Sequence, residues 1–130
     1  MANTWRWDKT DPVDTIRARL NVDWLAADIG VVVGVGINAS GKLVKGAGNT
    51  GVIGVVILSQ ARKAGHPVDV IKRGEAVGGT EVIVGTAAAA GTSYSISAAG
   101  VVTATAAGVR GTLGFTVEVD RLIVDFQNAL

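Results

Sequence analysis

Ile29-Gly-Val-Val-Val-Gly-Val-Gly-Ile37, closed by Asn38-Ala-Ser-Gly41 and followed by Lys42-Leu-Val-Lys45, decides the fold. Its residues are β-branched or Gly, a composition that suits a pleated strand. A helix is excluded, because each interior Gly costs about 1 kcal/mol relative to Ala. The Asn-Ala-Ser-Gly cluster is turn chemistry, so the stretch reads as a strand, a turn and a short return strand. Gly continues to punctuate the chain, 18 residues in all, and the same logic extends to its end.

Working outward, residues 52–58 (VIGVVIL), 68–72 (VDVIK, closed by Arg73-Gly74) and 81–84 (EVIV) read as three further strands. Residues 92–97 alternate polar and apolar, Ala98-Ala-Gly100 turns the chain, and residues 101–105 return, which makes a second hairpin. Residues 115–119 and 121–126 close the body. Roughly eight or nine short strands at this spacing predict an all-β fold, a small β-barrel or a sandwich, over residues 29–130.

Residues 1–28 differ in kind and form an N-terminal arm. All three Trp (Trp5, Trp7, Trp24) lie here, with nine charged residues of both signs: Arg6, Lys9, Arg17 and Arg19 against Asp8, Asp11, Asp14, Asp23 and Asp28. Asp11-Pro12 has the form of a helix start, and Val13, Ile16 and Leu20 share a face at spacings of three and four, so a short helix is expected over residues 12–20 of an otherwise extended arm. Trp5 and Trp7, two apart, point to one side of an extended chain and offer a large apolar surface. The candidate partner-contact residues are therefore Trp5, Trp7, Val13, Ile16, Arg17, Arg19, Leu20 and Trp24.

Several function classes find little support. Twelve Lys and Arg balance eleven Asp and Glu, without a basic cluster, so nucleic-acid binding is not expected. The most apolar stretch, residues 29–37, is far short of the ~20 residues of a spanning helix, and residues 1–11 carry charge early, so neither a membrane anchor nor a secretory signal is expected. No Cys is present, which excludes disulfides and thiolate metal sites. His66, the only His, sits in Ala-Gly-His-Pro and reads as a turn residue. Gly34-Val-Gly-Ile-Asn-Ala39 has the form of a dinucleotide fingerprint, but residues 40–51 hold four Gly and cannot supply the helix it needs. Asp69, Glu75, Glu81, Glu118 and Asp120 read as solvated strand ends, and Lys72 in Val-Ile-Lys-Arg-Gly as a charged hairpin end rather than a carrier lysine. No catalytic residue, cofactor or metal is expected. Between Val82 and Val117 the only charge is Arg110, and so neutral a stretch of sheet is expected to be covered by another subunit.

Three stretches together, VVVGVGINASGKLVKGAGNTGVIGVVI (31–57), KAGHPVDVIKRGEAV (63–77) and AGTSYSISAAGVVTATAAGVRGTLGFTVEVDRLIVDF (90–126), resemble the capsid decoration, or cement, proteins of tailed bacteriophages. The resemblance covers about residues 29–126. It implies a β-barrel or β-tulip-like body on the outer capsid surface of the virion, made in the host cytoplasm. It further implies homotrimers at three-fold and quasi-three-fold positions that tie neighbouring major capsid protein subunits together, with no reaction catalysed. The Trp-bearing extension departs from the simplest family pattern and leaves open which face meets the shell. The alternatives are another phage structural subunit, of tail or head, or a surface module for host glycans.

Overall fold

The computed structural model of the protein describes residues 3–10 and 15–126. Among the described residues eleven strands run in chain order: β1 (Arg6–Thr10), β2 (Thr15–Arg19), β3 (Val33–Ile37), β4 (Leu43–Lys45), β5 (Gly54–Val56), β6 (Pro67–Ile71), β7 (Arg73–Val77), β8 (Ser93–Ile96), β9 (Val102–Ala104), β10 (Gly114–Thr116) and β11 (Arg121–Asp125). They form two antiparallel sheets, one of six strands in the order β1-β7-β11-β10-β8-β9 and one of five in the order β2-β6-β5-β3-β4. The body is an all-β sandwich and not a closed barrel.

The decisive stretch becomes β3, and its alternation of Val and Gly has a physical cause. Val33 and Val35 point to one side of the five-stranded sheet, where they pack with Val56, Val68 and Val70 beneath Leu20 and Trp24. On the other side Gly34 and Val55 face the six-stranded sheet, whose Ala76, Tyr94, Val102, Leu122 and Val124 join Val55 in the main core. The central strands β3 and β5 are thus buried on both faces, which explains why they read as apolar runs. Gly34 is required by close approach: its N–H donates to Gly100 O at 2.9 Å, and its own carbonyl accepts from Gly46 N at 2.9 Å. A Cβ there would collide with Ile96 and press on Gly100.

Several expected boundaries shift. Residues 12–20 are not a helix where they are described: Thr15–Arg19 is a strand paired antiparallel with β6, Ile16 opposite Val70 and Ala18 opposite Val68. Ile16, Ala18 and Leu20 also repeat with period two, and the free edge of β6 selects that period. Lys72-Arg73-Gly74 is not a hairpin end, since Lys72 is the single residue between β6 in one sheet and β7 in the other. Residues 81–84 form no strand, because the Glu81 carbonyl is taken by side chains of the N-terminal segment. Residues 11–14, which include Val13, and the chain ends lie outside the described residues.

Candidate interaction surfaces

The N-terminal segment was expected to stand as a sticky arm, and its described parts are instead built into the sandwich. β1 is the outer strand of the six-stranded sheet and β2 the outer strand of the five-stranded sheet. Trp5 is 1 % exposed, its indole lies against Gly79, and its Nε1 donates to Glu81 O at 2.7 Å. Asn3, also buried, holds the same loop from the other side. Its Oδ1 accepts from Thr80 N at 3.0 Å, and its amide donates to Glu81 O. Trp24 is likewise 1 % exposed, bridged to Arg62 through Trp24 N to Arg62 O at 2.7 Å and Arg62 N to Trp24 O at 3.1 Å. Trp5, Trp24 and Leu20 are therefore core residues, and their apolar area is already spent on this chain's own interior. A pair of Trp in a charged segment does not by itself distinguish an anchor that docks elsewhere from one that docks at home.

Trp7, Ile16, Arg17 and Arg19 remain at the surface, but the strand splits them. Ile16, 48 % exposed, lies on the side of Ala18, whereas Arg17 and Arg19 point the opposite way. Arg17 Nε pairs with Asp69 Oδ1 at 3.1 Å, and Arg19 Nη1 donates to Gly65 O at 2.9 Å. Half-buried Trp7 joins Arg17, Ile57, Leu58, Arg62, His66, Val68 and Asp69 around a cleft of about 410 Å³ where the two sheets part. A cleft of this size, lined by apolar and charged groups together, can seat a side chain or a sugar ring.

Trp24 is also covered by Lys45, whose Nζ sits 5.1 Å from the ring centroid and pairs with Asp28. Burial is the largest single influence on Asp28 and opposes its ionisation. The Lys45 hydrogen bond, the Leu25 N–H and the Lys45 charge together outweigh it and hold the carboxyl below its ordinary 3.8. A depressed folded-state pKa stabilises the fold above the unfolded value, and that contribution is lost as pH falls through the folded value. Asp28→Asn is thus expected to cost under about 1 kcal/mol near neutrality, as suits a partly exposed pair. The deficit should vanish in acid denaturation curves taken well below pH 3.8.

A second surface lies on the outer side of the six-stranded sheet. Register places Ile123 between Phe115 and Glu75, and Phe115 beside Ser93. Glu75 is nearly buried beneath Arg121, and its hydrogen bond, then its charge, raise the Arg121 pKa. Asp125 pairs with both Arg73 and Arg110. Beside these pairs the sheet turns apolar, with Phe115 40 % exposed and Val117 and Val119 also open. Buried Thr116 ties the Ala-rich loop to this strand, its Oγ1 donating to Ala89 O at 2.6 Å. Charge-poor residues 82–117 thus present uncovered apolar surface in the single chain. Among the described residues no three His, Asp or Glu side chains gather as a metal site, and no helix is long and apolar enough to cross a membrane.

No protein-family model matches the chain, and no curated protein matches it. A solved structure from Mycobacterium phage Patience matches it along its length, with a TM-score of 0.79, 23 % identity and 99 % of each chain covered. At this identity the likeness is one of fold: both sheets, and the N-terminal strands with them, belong to a shared architecture.

Proposed function

We propose that the chain is a structural virion protein of a tailed phage that decorates and cements the outer surface of the capsid. In this reading it forms homotrimers at three-fold and quasi-three-fold positions that bridge neighbouring major capsid protein subunits. The observation that carries the reading is the end-to-end match of fold with a chain of phage origin. The uncovered apolar surface around Phe115, Val117 and Val119 suits contact between subunits, where side chains of that kind are withdrawn from water. The exposed Arg17 and Arg19, with Trp7 beside Arg17, suit contact with the shell on one side of β2, and exposed Ile16 on the other; the Arg residues set orientation more than affinity. No reaction is assigned to the protein.

The purified chain is expected to run as a trimer in native mass measurement and to cosediment with undecorated heads of the phage that encodes it, at hundreds of copies per particle. A monomer that leaves the heads bare would overturn the reading. A second reading is favoured by one feature, the cleft in which Trp7 meets Arg17, Arg62, His66 and Asp69. An indole beside charged hydrogen-bonding groups is suited to a pyranose ring, so a surface module for host glycans is the alternative. Sugar-dependent quenching of Trp fluorescence, lost in Trp7→Ala, would favour it.

A further inference from the structure

The loop of residues 61–66 brings Arg62 and His66 to the cleft beside Trp7, and it is clamped at both ends. Arg62 is bonded to Trp24 in both directions, at 2.7 Å and 3.1 Å, while Leu20 N donates to His66 O at 3.1 Å and Gly65 N to Leu20 O at 2.8 Å. Between these ties Asp23 Oδ1 accepts from Ala64 N at 2.7 Å, and Arg19 Nη1 donates to Gly65 O at 2.9 Å. Trp24 and Leu20, to which the loop is fixed, are core residues. A ligand therefore meets a loop that is already ordered, which favours binding.

The charged groups around the cleft are of two kinds. Arg17 and Asp69 form an ion pair at 3.1 Å whose charges cancel, and both side chains are at least half exposed. What that pair still offers is guanidinium donors beside a carboxylate acceptor, a combination matched by hydroxyl groups, which both donate and accept. Arg62, half-buried, has no carboxylate partner among the described residues; its guanidinium meets only Gln60 Oε1, at 3.1 Å. A guanidinium keeps its charge and fits a carboxylate through two parallel hydrogen bonds. The rest of the lining is apolar, with Ile57, Leu58 and Pro67 beside the Trp7 indole.

One uncompensated cation, one neutral pair suited to hydroxyls and an apolar surface call for a ligand with a single carboxylate, several hydroxyls and an apolar face. A hexuronic acid unit has all three. We infer that the cleft binds an acidic sugar of this class, its carboxylate on Arg62, its hydroxyls on the Arg17–Asp69 pair and its ring against the apolar lining. The inference rests on the glycan reading of the cleft and names the class of glycan. An acidic side chain of a protein partner is the competing occupant, and it supplies the carboxylate without the hydroxyls. A cleft that holds a sugar is open to solvent, so on a head the Ile16 side of β2 is the one left for the shell.

Two glycosides that differ in a single group read the site: methyl glucuronide carries a carboxylate where methyl glucoside carries a hydroxymethyl group. Titrated into the purified chain and followed by proton–nitrogen correlation NMR, both are expected to shift the Trp7 indole signal. The glucuronide should bind about tenfold more tightly, through one charge-assisted pair. Arg62→Gln is expected to bring the two affinities together, with an unmoved Trp24 indole signal as the check on folding. In the unaltered protein, added salt should weaken the glucuronide and not the glucoside, because a solvent-accessible charge pair is screened. Equal affinities in the unaltered protein, a preference that survives Arg62→Gln, or a preference insensitive to salt would overturn the inference and leave the glycan reading standing. Binding of neither glycoside would overturn both. Cyclohexanecarboxylate, a carboxylate on a ring without hydroxyls, should bind more weakly than the glucuronide; if it binds as tightly, the occupant is an acidic side chain and the sugar is refuted. Head binding is measured separately, so none of these outcomes bears on the decoration reading.

Discussion

Trp5→Ala is expected to lower the free energy of unfolding by about 3–5 kcal/mol, the range for removing a large buried aromatic side chain. Trp5 is fully enclosed, and its loss empties the pocket formed by Gly79 and the residues around Glu81. It also removes the indole N–H from the Glu81 carbonyl, which Trp5 shares with Asn3. β1 is held to the rest of the chain by β7 on one flank and by this anchor at its start, so the strand should loosen with it. Urea denaturation followed by far-UV circular dichroism checks the effect as a fall in midpoint. Trp7→Ala, at a half-buried position, should cost clearly less. Equal losses in the two variants would mean that Trp5 is not the anchor.

Gly100→Ala is expected to cost about 3 kcal/mol, from a conformation unfavourable to L-residues by roughly 1–2 kcal/mol and from disturbed hydrogen bonds worth about 1 kcal/mol each. Gly100 has φ +81°, and a Cβ on it would enter the space of the Gly34 carbonyl oxygen and press on Gly46. The hairpin of β8 and β9 touches the five-stranded sheet here backbone to backbone, so the chain cannot relax by moving a side chain. Gly108→Ala separates the two causes, because Gly108 has the same φ of +81° but open space around its Cβ position. It should lose only the conformational part. Thermal midpoints of the two variants, measured together, give the contact part by difference.

Much of the sandwich was legible. Residues 92–97 alternate with period two, and strands appear there and at 121–125 as expected because one face of that sheet packs inward and the other meets water. The all-β class followed from Gly and Val in the stretch that became β3. What sequence reasoning missed lies where a neighbour, and not the local pattern, decides. β7, Arg-Gly-Glu-Ala-Val, has no β-forming signature, yet it is a strand because β1 and β11 flank it and Arg121 neutralises Glu75. Residues 81–84 have the signature and no strand, since Asn3 and Trp5 capture the carbonyl that a sheet would need. Of the surface residues expected, Ile16, Arg17, Arg19 and part of Trp7 are available for contact, and Trp5, Leu20 and Trp24 are interior. Burial of this kind depends on tertiary docking, which composition does not report.

Residues 67–77 serve both sheets, with Lys72 the single residue between β6 and β7. Strain applied to one layer is therefore carried into the other through covalent bonds, without waiting for side chains to transmit it. A sandwich built this way behaves like folded plate, bending at a crease where a glued laminate would delaminate.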